Sequence, residues 1–169
     1  MVNIVLFEPE IPQNTGNIMR TCSVFRMRLH LIEPLGFSLD EKHLKRSGMD
    51  YVKDLDYTVY KNWNGFYEGH KDGQYVFFTR YGLKSFEECV FDKEGDIYIV
   101  FGKESTGIDK KILKEHIDEC YRIPMRSDAR SLNLSNCVAI AAYECLRQIG
   151  FGDLSDHEVI KGADFLLKC

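Results

Sequence analysis

Two short runs, Tyr75-Val-Phe-Phe-Thr79 and Ile97-Tyr-Ile-Val-Phe101, constrain the fold more than any other part of the chain. Both are rich in β-branched and aromatic side chains, which suit a pleated, buried surface. Val2-Asn-Ile-Val-Leu-Phe7 and Leu29-His-Leu-Ile32 read as two further strands, and Tyr57-Thr-Val-Tyr60 as an edge strand. Between these runs the apolar residues recur every three or four positions instead. Asn14 is placed to cap a helix with Ile18, Met19, Cys22 and Phe25 on one stripe and Asn17 and Arg20 on another face. A short basic helix is expected over 40–47, and a short helix and loop over 62–73. Asp109 opens a helix with Ile112 and Leu113 inward. Strands that alternate with helices in this way predict an α/β fold with a mainly parallel sheet flanked by helices.

The C-terminal half turns on Cys120 to Asn136. A short strand ending at Pro124 leads into a polar loop with Ser127, Asp128, Arg130 and Ser131, then into a helix with Leu134, Cys137, Val138, Ala141, Cys145 and Leu146 inward. Taken alone, this is either a capped core helix, with Ser131 or Asn133 satisfying end groups, or a ligand loop offering N–H groups and hydroxyls at a helix start. Gly150 to Gly152 ends that helix. Ser155-x-x-Glu158 is a capping-box pattern for a last amphipathic helix over 155–169, carrying Val159, Ile160, Ala163, Leu166 and Leu167.

At 169 residues, without repeat, low-complexity tract or linker, a single domain over 1–169 is expected. No apolar run approaches the ~20 residues that span a bilayer, and the start is too short and uncharged for a signal peptide. A cytoplasmic protein that does not engage membrane is therefore the expectation. The six cysteines show no C-x-x-C spacing, and His116 and Cys120 have no second ligand pair, so no metal site is expected. A net charge of −4 argues against a sequence-blind polyanion binder. Local basic patches remain: Arg20, Arg26, Arg28 and His30; Lys42, His43, Lys45 and Arg46; Arg122, Arg126 and Arg130.

Ligands of open α/β sheets sit beyond the carboxyl ends of strands, which selects the loops after Thr79, Phe101 and Pro124. Gly102-x-x-x-x-Gly107 lacks the Lys-Ser/Thr of a P-loop, so an NTPase is excluded. Glu8-Pro9-Glu10 after the first strand has no glycine, which excludes a Rossmann dinucleotide site. There is no G-x-S-x-G elbow.

Asn14-Thr-Gly-Asn-Ile-Met-Arg20, Phe101-Gly-Lys-Glu-Ser-Thr-Gly107 and Ile123-Pro-Met…Ser131-Leu-Asn-Leu-Ser-Asn136 resemble the three ordered motifs of the SPOUT RNA methyltransferases. With Phe7-Glu-Pro-Glu-Ile-Pro12 they are most similar to the enzymes that methylate the wobble ribose of tRNA. The resemblance runs from Met1 to about Gly150. It implies a SPOUT-type α/β-knot with a deep trefoil knot in the C-terminal half. It implies S-adenosyl-L-methionine as cofactor, the anticodon stem-loop of tRNA as partner, and a homodimer with a shared active site. By position, Arg20 would be catalytic, and Phe78, Thr79, Gly102, Glu104, Ile123, Ser131 and Leu132 would hold the cofactor. Asn14, Asn17, Arg130 and Asn133 would face RNA or support the site. Lys103 and Asp109 stand where relatives often carry proline. Two alternatives are a SPOUT enzyme acting on rRNA or another tRNA position, and a non-catalytic RNA-binding module of the same fold.

Overall fold

The computed structural model describes residues 1–39 and 55–168. The basic segment expected over 40–47, with Lys42, His43, Lys45 and Arg46, lies outside the described residues. The elements in chain order are β1 (Val2–Phe7), α1 (Pro12–Phe25), β2 (Arg28–Ile32), β3 (Tyr57–Tyr60), α2 (Trp63–Tyr67), β4 (Gln74–Phe78), β5 (Lys84–Ser85), β6 (Ile97–Phe101), α3 (Lys110–Glu115), β7 (Cys120–Arg122) and α4 (Leu134–Ile149).

The strands form one seven-stranded sheet in the order β3-β2-β1-β6-β4-β7-β5, and every pairing is parallel. All carboxyl ends therefore lie along one edge. Tyr57–Tyr60 is indeed an edge strand, and its exposed Thr58 and Val59 fit that place. Each strand of the centre supplies both faces by simple alternation. Ile4, Leu6, Leu29, Leu31, Val76, Phe78, Ile97, Ile99 and Phe101 pack against α1 and α4 through Ile18, Met19, Cys22, Val138, Ala141, Ala142 and Cys145. Val5, Phe7, Tyr75, Phe77 and Val100 pack on the other face against Trp63, Phe66, Ile108 and Leu113. Burying each large apolar side chain of this kind contributes roughly 1.5–3 kcal/mol, so β6, buried along its whole length, anchors both layers.

Three expectations change. Helix α1 begins at Pro12 with Ile11 as its N-cap residue, so Asn14 is buried inside the first turn rather than capping it. Proline at the first helical position suits its fixed φ and missing N–H, and the start lies three residues earlier than expected. Strand β7 stops at Arg122, before Pro124. The last amphipathic helix is absent among the described residues: 155–168 holds turns and one 3-10 turn, Phe165–Lys168. Ile160, Leu166 and Leu167 are more than four-fifths exposed there. Without an apolar surface to cover, propensity alone does not hold so short a helix. The Ser155 hydroxyl accepts from the His157 N–H, and Glu158 accepts from Ile160 and Lys161, so the polar residues of the capping pattern stabilise turns instead. The break after Ile149 stands as expected, at Gly150. Among the described residues, no helix is long and apolar enough to cross a membrane.

Candidate active site

Strand order puts the three selected loops side by side. β6, β4 and β7 are neighbours, so the chain after Phe101, after Phe78 and after Arg122 emerges at adjacent points of the carboxyl edge. The sheet's topological switch lies next to them, between β1 and β6, where doubly wound proteins commonly leave a crevice for a ligand. Here that crevice is closed by the protein itself. Glu10 accepts from the Ser105 N–H at 2.9 Å and the Ser105 hydroxyl at 2.8 Å. Those two bonds hold the Glu10 carboxyl below its usual range. Lys103 Nζ lies 2.6 Å from Glu8 Oε2, and the hydrogen bond to Glu8 raises the lysine pKa. Sequence reasoning missed this clasp. Lys103 was visible only as a departure from proline, and its partner lies 95 residues away.

Glu104 is the centre of the arrangement. Its carboxylate accepts from the backbone N–H of Glu10 at 2.9 Å and of Ile11 at 3.3 Å, and from Asn14 Nδ2 at 2.9 Å. It thus supplies, from another loop, acceptors for N–H groups at the start of α1, whose N-cap residue Ile11 has no side chain able to do so. A carboxylate there is also favoured by the helix dipole. Asn14 Oδ1 in turn accepts from Asn133 Nδ2 at 2.9 Å, and Asn133 Oδ1 accepts from the Ser135 N–H at 2.9 Å and the Ser135 hydroxyl at 2.7 Å. One chain of hydrogen bonds thus ties all three sequence motifs together. Asn133 is the N-cap of α4 and a link in this chain at once. Both oxygens of the Glu104 carboxylate are thus engaged by groups of the protein itself.

Gly102 is required by close approach. A Cβ there would meet the Gly107 carbonyl carbon at 2.2 Å and the Ile108 nitrogen at 2.3 Å. The loop closes through the Gly107 N–H to Lys103 O bond at 2.9 Å, and Gly107 takes φ +78°. Phe78 is buried, stacked on Phe101 with centroids 5.2 Å apart and edge-on to Phe86, so its side chain belongs to the core. Thr79, Gly102 and Ile123 are half-buried at the three strand ends, and Ser131 and Leu132 are exposed on the third loop. Arg126 and Asp128 pair within that loop through two hydrogen bonds. Arg20 and Asn17 lie on the exposed face of α1, as their spacing predicted, and Arg130 is exposed. A cleft between 33–39 and Lys61 lies at the ends of β2 and β3, apart from these loops. Among the described residues, no three His, Cys, Asp or Glu side chains are grouped to hold a metal ion.

Residues 1–143 match the family model described as the SpoU rRNA Methylase family. The chain belongs to that family. A relative from Saccharophagus degradans, named tRNA (cytidine(34)-2′-O)-methyltransferase, is 48% identical over 89% of this chain and 97% of its own. A solved structure described by its work on the 2′-OH methylation of C/U34 on tRNA superposes with a TM-score of 0.82 at 39% identity, covering 88% of this chain and 96% of that one. The SpoU methyltransferase AviRb of Streptomyces viridochromogenes, solved with AdoMet, shares the fold at 21% identity with a TM-score of 0.74, over 86% of this chain and 57% of that one.

Proposed function

We propose that the chain is an S-adenosyl-L-methionine-dependent methyltransferase acting on the ribose 2′-hydroxyl of the wobble nucleotide, cytidine or modified uridine, in the anticodon loop of tRNA. The observation that carries this reading is twofold: the loops after β6, β4 and β7 emerge side by side, and Glu104, Asn14 and Asn133 tie the three motifs, on α1 and on the loops after β6 and β7, into one chain of hydrogen bonds. The wall they form is mostly main chain, with small residues at Gly102 and Thr79, a hydroxyl at Ser131 and apolar Ile123 and Leu132. Such a wall suits a nucleoside joined to an amino acid, and it lacks the lysine a polyphosphate needs.

The bound cofactor supplies a methyl carbon already activated by its sulfonium. The protein must align the ribose hydroxyl with that carbon and help its proton leave. Arg20 is the residue we assign to this task. Its guanidinium, with a pKa above ~12, is a poor base but a strong, forked donor. It clamps an RNA phosphate and polarises the hydroxyl, and the phosphate assists proton removal. The bracing of α1 by Glu104 fixes the helix that carries Arg20. Asn17 and Arg130 face RNA from the same edge. The same reading includes a deep trefoil knot through the C-terminal half, a cytoplasmic location and a homodimer with a shared site. The exposed Ile140 and Tyr143 on α4 support the dimer.

The test is incubation with tRNA and methyl-labelled cofactor, followed by digestion and mapping. Label on the wobble ribose, lost in Arg20→Ala while cofactor affinity persists, is the expected result. Label elsewhere in tRNA or on ribosomal RNA overturns the substrate assignment, and methyl transfer unchanged in Arg20→Ala overturns the role of the arginine.

A further inference from the structure

The turn after β4 carries an arrangement outside the three family motifs. Tyr81 is 58% exposed, a high value for a large ring, and the Arg80 guanidinium carbon lies over it, 5.6 Å from the centroid. Arg122, at the end of β7, donates from Nη1 to the Arg80 carbonyl at 2.9 Å and brings a second guanidinium to the same turn. The turn is held firmly. The Tyr81 N–H donates to Thr79 Oγ1 at 3.2 Å, and the Gly82 N–H to the Thr79 carbonyl at 3.3 Å. A Cβ at Gly82 would meet the backbone of Tyr121 and Arg122 at 2.5–2.8 Å, so the turn is pressed directly against β7. An exposed aromatic ring on a rigid turn, with arginine on one face, is the arrangement by which proteins stack an unpaired base and meet its phosphates.

We propose that Tyr81, with Arg80 and Arg122 at the same turn, is a stacking platform for an unpaired base of the RNA substrate, on the loop that begins at Thr79. This rests on the reading of the chain as an RNA methyltransferase and adds a subsite to it. Arg80 covers one ring face and leaves the other for the base. The anticodon loop offers unpaired bases beside the wobble ribose, which places such a contact within reach of the reacting nucleotide.

Affinity for an anticodon stem-loop RNA measures the contact, with cofactor affinity as the control for folding. Tyr81→Ala weakens RNA binding roughly five- to hundredfold, the range expected for losing one stacked base. Tyr81→Phe, which keeps the ring, stays close to wild type. A set of RNAs, each with one abasic loop position, completes the cycle. Against wild type, one abasic position weakens binding by a similar factor, and against Tyr81→Ala that same position costs nothing further. Methylating wild-type protein with no coupled abasic position overturns the platform and leaves the proposed function standing. Coupling without methyl transfer to the wobble ribose does the reverse. Equal weakening by Tyr81→Ala and Tyr81→Phe also overturns the platform, since it would make the hydroxyl, not the ring face, the contact.

Discussion

His30 makes the fold sensitive to mild acid. It is 2% exposed in β2, between Asn3 and Tyr60. Asn3 Nδ2 donates to the carbonyls of Met1 and Ile97, so its Oδ1 faces His30 Nε2 at 3.1 Å and must accept. Nε2 therefore carries the proton, and Nδ1 accepts from the Tyr60 hydroxyl at 3.1 Å. A single neutral tautomer satisfies every partner. Burial first, then the nearby His70 and Arg28, push the pKa down to about 4 from 6.5. The unfolded chain gains a proton at this residue near pH 6.5 and the folded chain only near pH 4. The stabilisation is full above 6.5 and is lost as pH falls through that window. At pH ~5 the two pKa values give a loss of about 2 kcal/mol from this residue alone, out of the ~5–15 kcal/mol of a typical domain. The assay is urea unfolding at pH ~7.5 and ~5 for wild type and His30→Gln, which cannot titrate. Most carboxylates stay ionised over that range, and their small contribution cancels between the two proteins. Wild type is expected to lose about 2 kcal/mol more than the variant between the two pH values. Equal losses would refute the reasoning, because they would mean that His30 takes up its proton in the folded state too.

Three further outcomes follow from the site. Asn14→Asp would set a carboxylate against Glu104, within the 2.9 Å now spanned by a hydrogen bond, so the pair's proton affinity rises. The variant loses about 1–3 kcal/mol at pH ~8 and regains part of it as pH falls toward ~6, and a pH-independent loss would count against this geometry. Thr15→Val removes a buried hydroxyl, Thr15 Oγ1, that has no hydrogen-bond partner. Its melting temperature rises, by an amount equivalent to about 1 kcal/mol, and a fall by that much would show that the hydroxyl is satisfied in solution. Gly102→Ala forces backbone apart at 2.2 Å, costs more than about 2 kcal/mol, and abolishes cofactor binding under conditions where the variant remains folded by circular dichroism.

Element identity was readable wherever a segment's own burial determines it. The runs at Val2, Leu29, Tyr75 and Ile97 are strands because each fills both layers, and a buried run of β-branched and aromatic residues has no better place to go. The 155–169 pattern had the right period for a helix but nothing to cover, and periodicity alone does not report the absence of a partner surface. Asn14 looked like a cap because asparagine favours that position. The capping oxygen instead comes from Glu104, 93 residues from Ile11, and no local pattern encodes it. The three loops were found from strand ends alone, but their order across the sheet depends on crossovers. β4 lies between β6 and β7, although β6 follows it in sequence. The resemblance supplied the grouping that spacing could not.

The chain of hydrogen bonds also has a polarity that its ends dictate. Glu104, when ionised, can only accept, and the Ser135 N–H can only donate. Between them Asn14 must point Nδ2 at Glu104 and Oδ1 at Asn133, and Asn133 must point Oδ1 at Ser135, as both do. Each amide is thereby held in one orientation by its hydrogen bonds. An amide is the side-chain group that can donate at one end and accept at the other in this geometry, which explains why asparagine recurs at both positions. A carboxylate at either one would lose the donor. The clasp of Glu8 and Glu10 on Lys103 and Ser105 fills the switch between β1 and β6, and the next gap along the edge is the one where the loops after β6, β4 and β7 meet. The same carboxylate that caps the helix bearing Arg20 therefore also sets the start of the helix behind the third loop. A shift in the loop after β6 is thereby passed to the start of α1 and to the start of α4.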